Sequence, residues 1–257
     1  GLGVLHNNKN LLLIQKHLVD HMFYKQLFQK GIPCRACHIP SKQLTYENLK
    51  LLHNALKLTA IINCAGYTGK PNVDACETDK HNTIYGNVVL PQMLSQFCGE
   101  NNIVFGHVSS GCIYTGRRGD GLPFTEVDRP NFAFEHNNCS FYSGTKAMAE
   151  DLIVKNCVKN YIWRLRIPFE ENNNSRNYLS KMLNYKKLLN AENSISNKQE
   201  FVSACIETMK KKVPYGIYNV TNTGYTSTEQ VVSLLKSTIA KNHNFEFVDE
   251  VEFYKTL

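Results

Sequence analysis

Tyr142 and Lys146 stand four residues apart in Tyr-Ser-Gly-Thr-Lys. On a helix that spacing puts a phenol and an ammonium on one face, one turn apart. A nearby cation favours the phenolate and lowers the phenol's pKa, so the hydroxyl can exchange a proton with a substrate oxygen near neutral pH. The bare pair is common on ordinary surface helices. Its upstream context is more specific: an apolar run from Ile103 to Val108 ends in Ser109-Ser110-Gly111-Cys112-Ile113-Tyr114. Parallel sheets place their chemistry at such strand ends, where a serine can hydrogen-bond the same carbonyl that the tyrosine protonates.

These residues need a scaffold, and the hydrophobic pattern supplies one. Asn10 to Ile14 reads as a short strand, Val19 to Lys30 as a helix closed by Gly31, and Ile32 to Ile39 as a second strand. Thr45 to Leu58 is helical with Leu49, Leu52 and Leu56 on one face, and Ala60 to Cys64 is a buried strand. Asp79 to Glu100 (helix), Ile103 to Ser109 (strand), Ser140 to Asn156 (helix) and Tyr161 to Ile167 (strand) continue the alternation. The expected class is α/β, a Rossmann-like doubly wound parallel sheet over residues 10–168. Residues 169–257 should form a smaller, mainly substrate-binding lobe with some segments returning to the core. Helical segments are expected at Leu179 to Leu189 and Lys198 to Lys212, and Thr226-Ser-Thr-Glu229 reads as a capping box that starts a helix through Ile239.

Bulk composition narrows the class. The 257 residues are 42% apolar, enough for a real core. The net charge of +7 arises from 29 basic and 22 acidic residues, a bias that suits phosphate-bearing small ligands. No Lys/Arg stripe interleaved with aromatics marks a nucleic-acid surface. Nine cysteines without regular spacing, and no hydrophobic leader, point to reduced thiols in the cytoplasm. Cys34-Arg-Ala-Cys37 lacks the second pair that structural zinc requires, so no metal is expected. No apolar run approaches the ~20 residues of a membrane span.

Several blocks resemble one family in order along residues 10 to 250: Asn63-Cys-Ala-Gly66, Thr68 to Glu77, Asn87, Gly111-Cys-Ile-Tyr114, Arg129-Pro-Asn-Phe132, Ser140 to Met148, Arg164-Leu-Arg-Ile-Pro168, and Arg176-Asn177 with Lys181. The chain resembles the extended short-chain dehydrogenase/reductases, within them the nucleotide-sugar 3,5-epimerase/4-reductases of rhamnose synthesis. The resemblance implies that Ser110 polarises a C4 ketone, Tyr142 donates its proton, and Lys146 tunes Tyr142 and holds the nicotinamide ribose. It gives Cys112 a proton-transferring role, with Lys181 as acid partner. A thiol can take a proton alpha to a ketone once its pKa is lowered; the plainer readings are a buried filler for Cys112 and a solvated helix residue for Lys181. The resemblance further assigns Ala65, Gly66, Asn87, Tyr142, Lys146 and Ile167 to the cofactor, and Gly69, Lys70, Pro71, Asn72, Arg176 and Asn177 to the substrate. That substrate is UDP- or dTDP-4-keto-6-deoxyglucose, the cofactor NADPH or NADH, and the assembly a homodimer through the Tyr142 helix.

One motif departs from that pattern. A dinucleotide turn needs glycines so that the backbone can approach the pyrophosphate. Here the positions read Gln15-Lys16-His17-Leu18-Val19-Asp20, with no glycine from Val4 to Lys30. Gln15, His17 and Asp20 replace the expected glycines, and Asp20 adds a negative charge that Lys16 and His17 would partly offset. Cys37, His38 and Lys42, after the second strand, do not discriminate NADPH from NADH. Two functions stay open: an active epimerase/reductase with an altered turn, and a noncatalytic relative that binds a nucleotide sugar or a protein partner.

Overall fold

A computed structural model describes residues 11–14, 20–32, 34–37, 44–185 and 187–248. In chain order the elements are β1 (Leu11–Ile14), α1 (Asp20–Gln29), β2 (Cys34–Cys37), α2 (Tyr46–Leu56), β3 (Ala60–Asn63), α3 (Lys80–Ile84), α4 (Leu90–Glu100), β4 (Val104–Ser110), α5 (Phe141–Asn156) and β5 (Asn160–Leu165). There follow β6 (Pro168–Phe169), α6 (Tyr178–Asn184), β7 (Lys187–Leu189), β8 (Glu192–Asn193), β9 (Ser196–Asn197), α7 (Lys198–Lys211), β10 (Gly216–Asn219), β11 (Thr226–Ser227), α8 (Thr228–Ser237) and β12 (Glu246–Val248). The chain divides into two compact units, one of residues 1–164 and 202–219, the other of 165–201 and 220–257.

The first unit is built on a six-stranded sheet in the order β10-β5-β4-β3-β1-β2. The pairs β1/β2, β1/β3, β3/β4 and β5/β10 run parallel. This is the Rossmann-like arrangement. β1, β3 and β5 are buried at every position, as expected where helices cover both faces of a parallel sheet. Leu12, Ile14, Leu49, Ile61, Leu94, Phe97, Phe105 and Ile162 share one apolar cluster, against which Leu52 and Leu56 of α2 pack. The chain leaves β1 for β2 on one side and returns through β3 on the other. The switch point therefore lies at the carboxyl ends of β1 and β3, where open α/β sheets bind ligands.

Helix boundaries follow local chemistry. Thr45 caps α2 by accepting the Asn48 N–H at 3.2 Å, and Asp79 caps α3. The helical stretch expected from Asp79 to Glu100 is divided by a π-helical turn at Tyr85–Val89. Such bulges re-aim side chains and cluster at functional sites.

In the second unit Met182, Leu188, Val231, Val232, Leu235 and Ala240 form a separate core. Two expectations are corrected here. The helix read from Leu179 to Leu189 ends at Asn184, and Lys187–Leu189 is a strand paired with β12; a short apolar run carries no periodicity that separates the two states. The capping box lies one residue later than expected. Ser227 accepts the Gln230 N–H at 3.1 Å while the Gln230 side chain accepts the Ser227 N–H at 2.9 Å. Thr226 belongs to β11, paired with β8, which sets the cap at Ser227.

Candidate active site

α5 carries Tyr142 and Lys146, and its first turn is held twice. Ser140 Oγ accepts the Ser143 N–H at 3.2 Å, and Glu77 Oε1 accepts the Phe141 N–H at 2.7 Å. Two of the otherwise orphaned amides of the helix start are thereby satisfied. Gly144, between Tyr142 and Lys146, has the Phe134 ring seated on it; a Cβ there would lie 2.3 Å from the ring. Tyr142 is half-buried and Lys146 is buried. β4 and the short 3-10 turn Gly111–Ile113 that follows it both pack against α5. Ser110 is the last residue of β4, and its Oγ accepts the Cys112 N–H at 3.2 Å, which fixes the turn that presents half-exposed Cys112.

A buried ionic network braces this corner. The Arg164 guanidinium of β5 donates to Glu150 of α5, with Nη2 to Oε2 at 2.7 Å and Nε to Oε1 at 3.2 Å. Ser109 Oγ donates to Glu150 Oε1 at 2.5 Å, and Arg164 Nη1 donates to Tyr114 OH at 2.8 Å. Tyr114 OH donates onward to the Asp128 carbonyl at 2.7 Å. Burial works against the Arg164 charge, but the Glu150 hydrogen bonds and charge leave its pKa raised.

Beneath Lys146 lies a second network. Lys146 Nζ donates to the Val108 carbonyl at 3.0 Å and lies 3.3 Å from His107 Nε2. His107 Nδ1 lies 3.1 Å from Asn63 Nδ2, and Asn63 Oδ1 accepts the Ala65 N–H at 3.0 Å. Burial pulls Lys146 down to about 8, with Glu150 and Cys112 opposing. Burial, then the Lys146 charge, holds His107 well below the usual histidine range. Neither Asn63 nor His107 was singled out from the sequence for a role of its own, and Glu77, Glu150 and Arg164 were not either. Apart from the Ala65 N–H beside Asn63, the partners named here lie 14 to 64 residues away along the chain, so spacing carries no signal for them.

The remaining sequence candidates are spread over the two units. Asn87, in the π-helical turn, grips the loop after β3 from both sides: Oδ1 accepts the Tyr67 N–H at 2.7 Å and Nδ2 donates to the Tyr67 carbonyl at 3.0 Å. Ala65 and Gly66 lie in that loop, and Gly66 faces Asn87 Oδ1. Gly69 sits at φ +64, where an added Cβ would meet the Asn72 carbonyl oxygen at 2.2 Å, so both conformation and space require glycine. Lys70 is exposed and joined to Pro71 by a cis peptide, and Asn72 caps the turn at Val73–Cys76. In the second unit Lys181 and Arg176 are half-buried. Asn177 is buried and committed to its own backbone, accepting the Leu179 N–H at 3.3 Å and donating to the carbonyls of Glu170 at 2.8 Å and Asn172 at 2.9 Å. Ile167 adopts φ 39, an uncommon conformation for a β-branched residue.

The family model described as RmlD substrate binding domain matches residues 12–251. The chain belongs to this family. Over 190 residues it is 36% identical to the trifunctional UDP-glucose 4,6-dehydratase/UDP-4-keto-6-deoxy-D-glucose 3,5-epimerase/UDP-4-keto-L-rhamnose-reductase of Arabidopsis thaliana. That match covers 72% of this chain but 28% of the relative's length. Among solved structures, the L780 UDP-rhamnose synthase of Acanthamoeba polyphaga mimivirus aligns with a TM-score of 0.85 at 23% identity, over 96% of this chain and 87% of that one. A dTDP-4-dehydrorhamnose reductase from Bacillus anthracis, in complex with NADP, aligns at 0.78 with 16% identity, over 96% and 86%. These two likenesses establish the fold.

For a member of the RmlD substrate binding domain family, the fit of a dinucleotide divides along the molecule. Tyr142, Lys146 and Ser110, on α5 and at the end of β4, carry groups of the kind that could donate to a nicotinamide ribose, and Asn87 holds the loop after β3. At the other end of the switch point the sequence between β1 and α1 holds no glycine. Gln15 and His17, like His38 and Lys42, lie outside the described residues, and Asp20 opens α1. Among the described residues no group of three or more His, Cys, Asp or Glu could hold a metal ion, and no helix is long and apolar enough to cross a membrane.

Proposed function

We propose that this chain reduces the C4 ketone of a UDP- or dTDP-linked 4-keto-6-deoxyhexose to give the nucleotide-linked L-rhamnose, and inverts C3 and C5 beforehand. NADPH, when bound, supplies the hydride that C4 receives. Tyr142 gives its phenolic proton to O4, Ser110 donates a hydrogen bond to the same oxygen, and Lys146 in its charged form steadies the phenolate left behind. Cys112, as thiolate, takes a proton from the carbons flanking the ketone, and Lys181 keeps the acid role that the resemblance implies. The reading is carried by Tyr142 and Lys146 on a doubly capped helix packed against the Ser110–Cys112 strand end, in a chain 36% identical to an enzyme named for this reaction sequence.

The experiment is turnover of UDP-4-keto-6-deoxyglucose with NADPH, alongside calorimetric titration of NADPH and NADH with and without UDP. Tyr142→Phe should abolish reduction while nucleotide-sugar binding persists; equal activity removes Tyr142 from the mechanism. Cys112→Ala should stop deuterium wash-in at C3 and C5. The absence of glycine from the sequence between β1 and α1 favours one second reading, a binding protein without hydride chemistry. UDP-sugar binding without dinucleotide binding selects it.

A further inference from the structure

Asn63 and His107 are register partners on β3 and β4, and both are fully buried. The Asn63 amide has one orientation, because its Oδ1 accepts the Ala65 N–H at 3.0 Å. Its NH2 group therefore faces His107 Nδ1 at 3.1 Å. A ring nitrogen that accepts a hydrogen bond carries no proton, so the proton of the neutral imidazole resides on Nε2. Nε2–H points at Lys146 Nζ, 3.3 Å away. An ammonium has three donors and no acceptor, whereas an amine offers a lone pair to that N–H and still donates to the Val108 carbonyl at 3.0 Å.

We infer that His107 is a positioning residue for Lys146: with its tautomer set by Asn63, it presents Nε2–H to Nζ and lowers the affinity of Nζ for a proton. To gain a proton, Lys146 must either leave His107 or drive the ring proton to Nδ1 against the Asn63 amide. The pH at which Lys146 becomes charged thus depends on β3 and β4 as well as on burial and on its own helix. Tyr142 stands one turn back on the same face of α5, and the other titratable neighbours act in the opposite sense. Glu150, one turn along α5, and Cys112, in the turn after β4, favour the charge, and Glu150 is itself held by Arg164 of β5. The consequence for Tyr142 rests on the reductase reading, while the proton placement does not.

The test is nitrogen-15 NMR of the labelled, unliganded chain between pH 6 and 10, with His107 and Lys146 assigned by His107→Gln and Lys146→Met. His107 should show a protonated Nε2 and an unprotonated Nδ1, and Nζ should convert from ammonium to amine near pH 8. In His107→Gln the side-chain oxygen can accept from the ammonium, so the proton affinity of Lys146 should rise roughly tenfold. Asn63→Asp keeps the acceptor for the Ala65 N–H but presents a carboxylate to Nδ1, and should move the ring proton there. A protonated Nδ1 in the parent chain, an unmoved Nζ midpoint in His107→Gln, or an unmoved tautomer in Asn63→Asp overturns the inference. The NMR signals are read without cofactor or substrate, so absence of ketone reduction would refute the reductase reading alone.

Discussion

Arg164 and Glu150 meet through both carboxylate oxygens at 2.7 to 3.2 Å, with side chains only 3% and 4% exposed. The pair ties β5 to α5 one turn beyond Lys146. Removing one partner leaves a buried charge uncompensated, which costs about 3–5 kcal/mol. Glu150→Leu should therefore lower the denaturation midpoint sharply, and Arg164→Met in the same chain should restore much of the loss. Chemical denaturation of the two single variants and the double variant checks this; additive losses would mean that the pair is not coupled.

Ser140→Ala removes the side-chain cap of α5 and should cost about 1 kcal/mol of stability. Glu77→Gln keeps an oxygen for the Phe141 N–H, so it should be milder than Glu77→Ala. If the first turn positions Tyr142 as proposed, Ser140→Ala should also lower kcat for ketone reduction more than it raises KM once kcat is normalised to the folded fraction, whereas a purely global loss of stability leaves the normalised kcat unchanged.

Gly144→Ala should destabilise the chain although alanine is the better helix former by ~1 kcal/mol. Its Cβ would lie 2.3 Å from the ring of Phe134, which is itself 39% exposed; displacing it should cost on the order of 1 kcal/mol or more, toward the low end of the overpacking range. Phe134→Ala should suppress the defect. A double-mutant cycle by thermal unfolding reads the coupling, and a cycle without coupling would separate Gly144 from Phe134.

Lys146 titrates at about 8 in the folded chain against an ordinary 10.5. Between those values the unfolded chain binds a proton that the folded chain does not, so stability rises with pH across the window, by roughly 3 kcal/mol at most. Below pH 8 the full cost of the buried charge applies. Denaturant unfolding of the parent and of Lys146→Met from pH 7 to 10 should show the parent gaining on the variant above pH 8, and parallel curves would contradict the buried charge.

Much of the scaffold was legible because it is written in short-range patterns. An apolar run of four residues marks β1 and one of three marks β3, the 3.6-residue period marks α2, and Ser140 announces the start of α5. Tyr142 and Lys146 are four apart on one helix, so their pairing follows from helical geometry alone. Where the pattern is shorter than a helical turn, the reading slipped. Leu188 and Leu189 read as helix yet pair with β12, and Thr226 reads as the cap that Ser227 provides. In both places a pairing between distant segments decided the outcome over local propensity.

By itself, then, the sequence determined the α/β alternation, the helix that carries Tyr142 and Lys146, the strand end at Ser110, and the lack of glycine between β1 and α1. Only the tertiary structure decided what surrounds Lys146. Asn63 and His107 are 44 residues apart, and His107 and Lys146 are 39 apart. Their contact depends on the register of β3 against β4 and on the packing of α5 over that sheet. Spacing along a chain reports neighbours within a turn or a pleat, whereas a hydrogen-bond direction buried between three elements exists only once the sheet has closed and water has left.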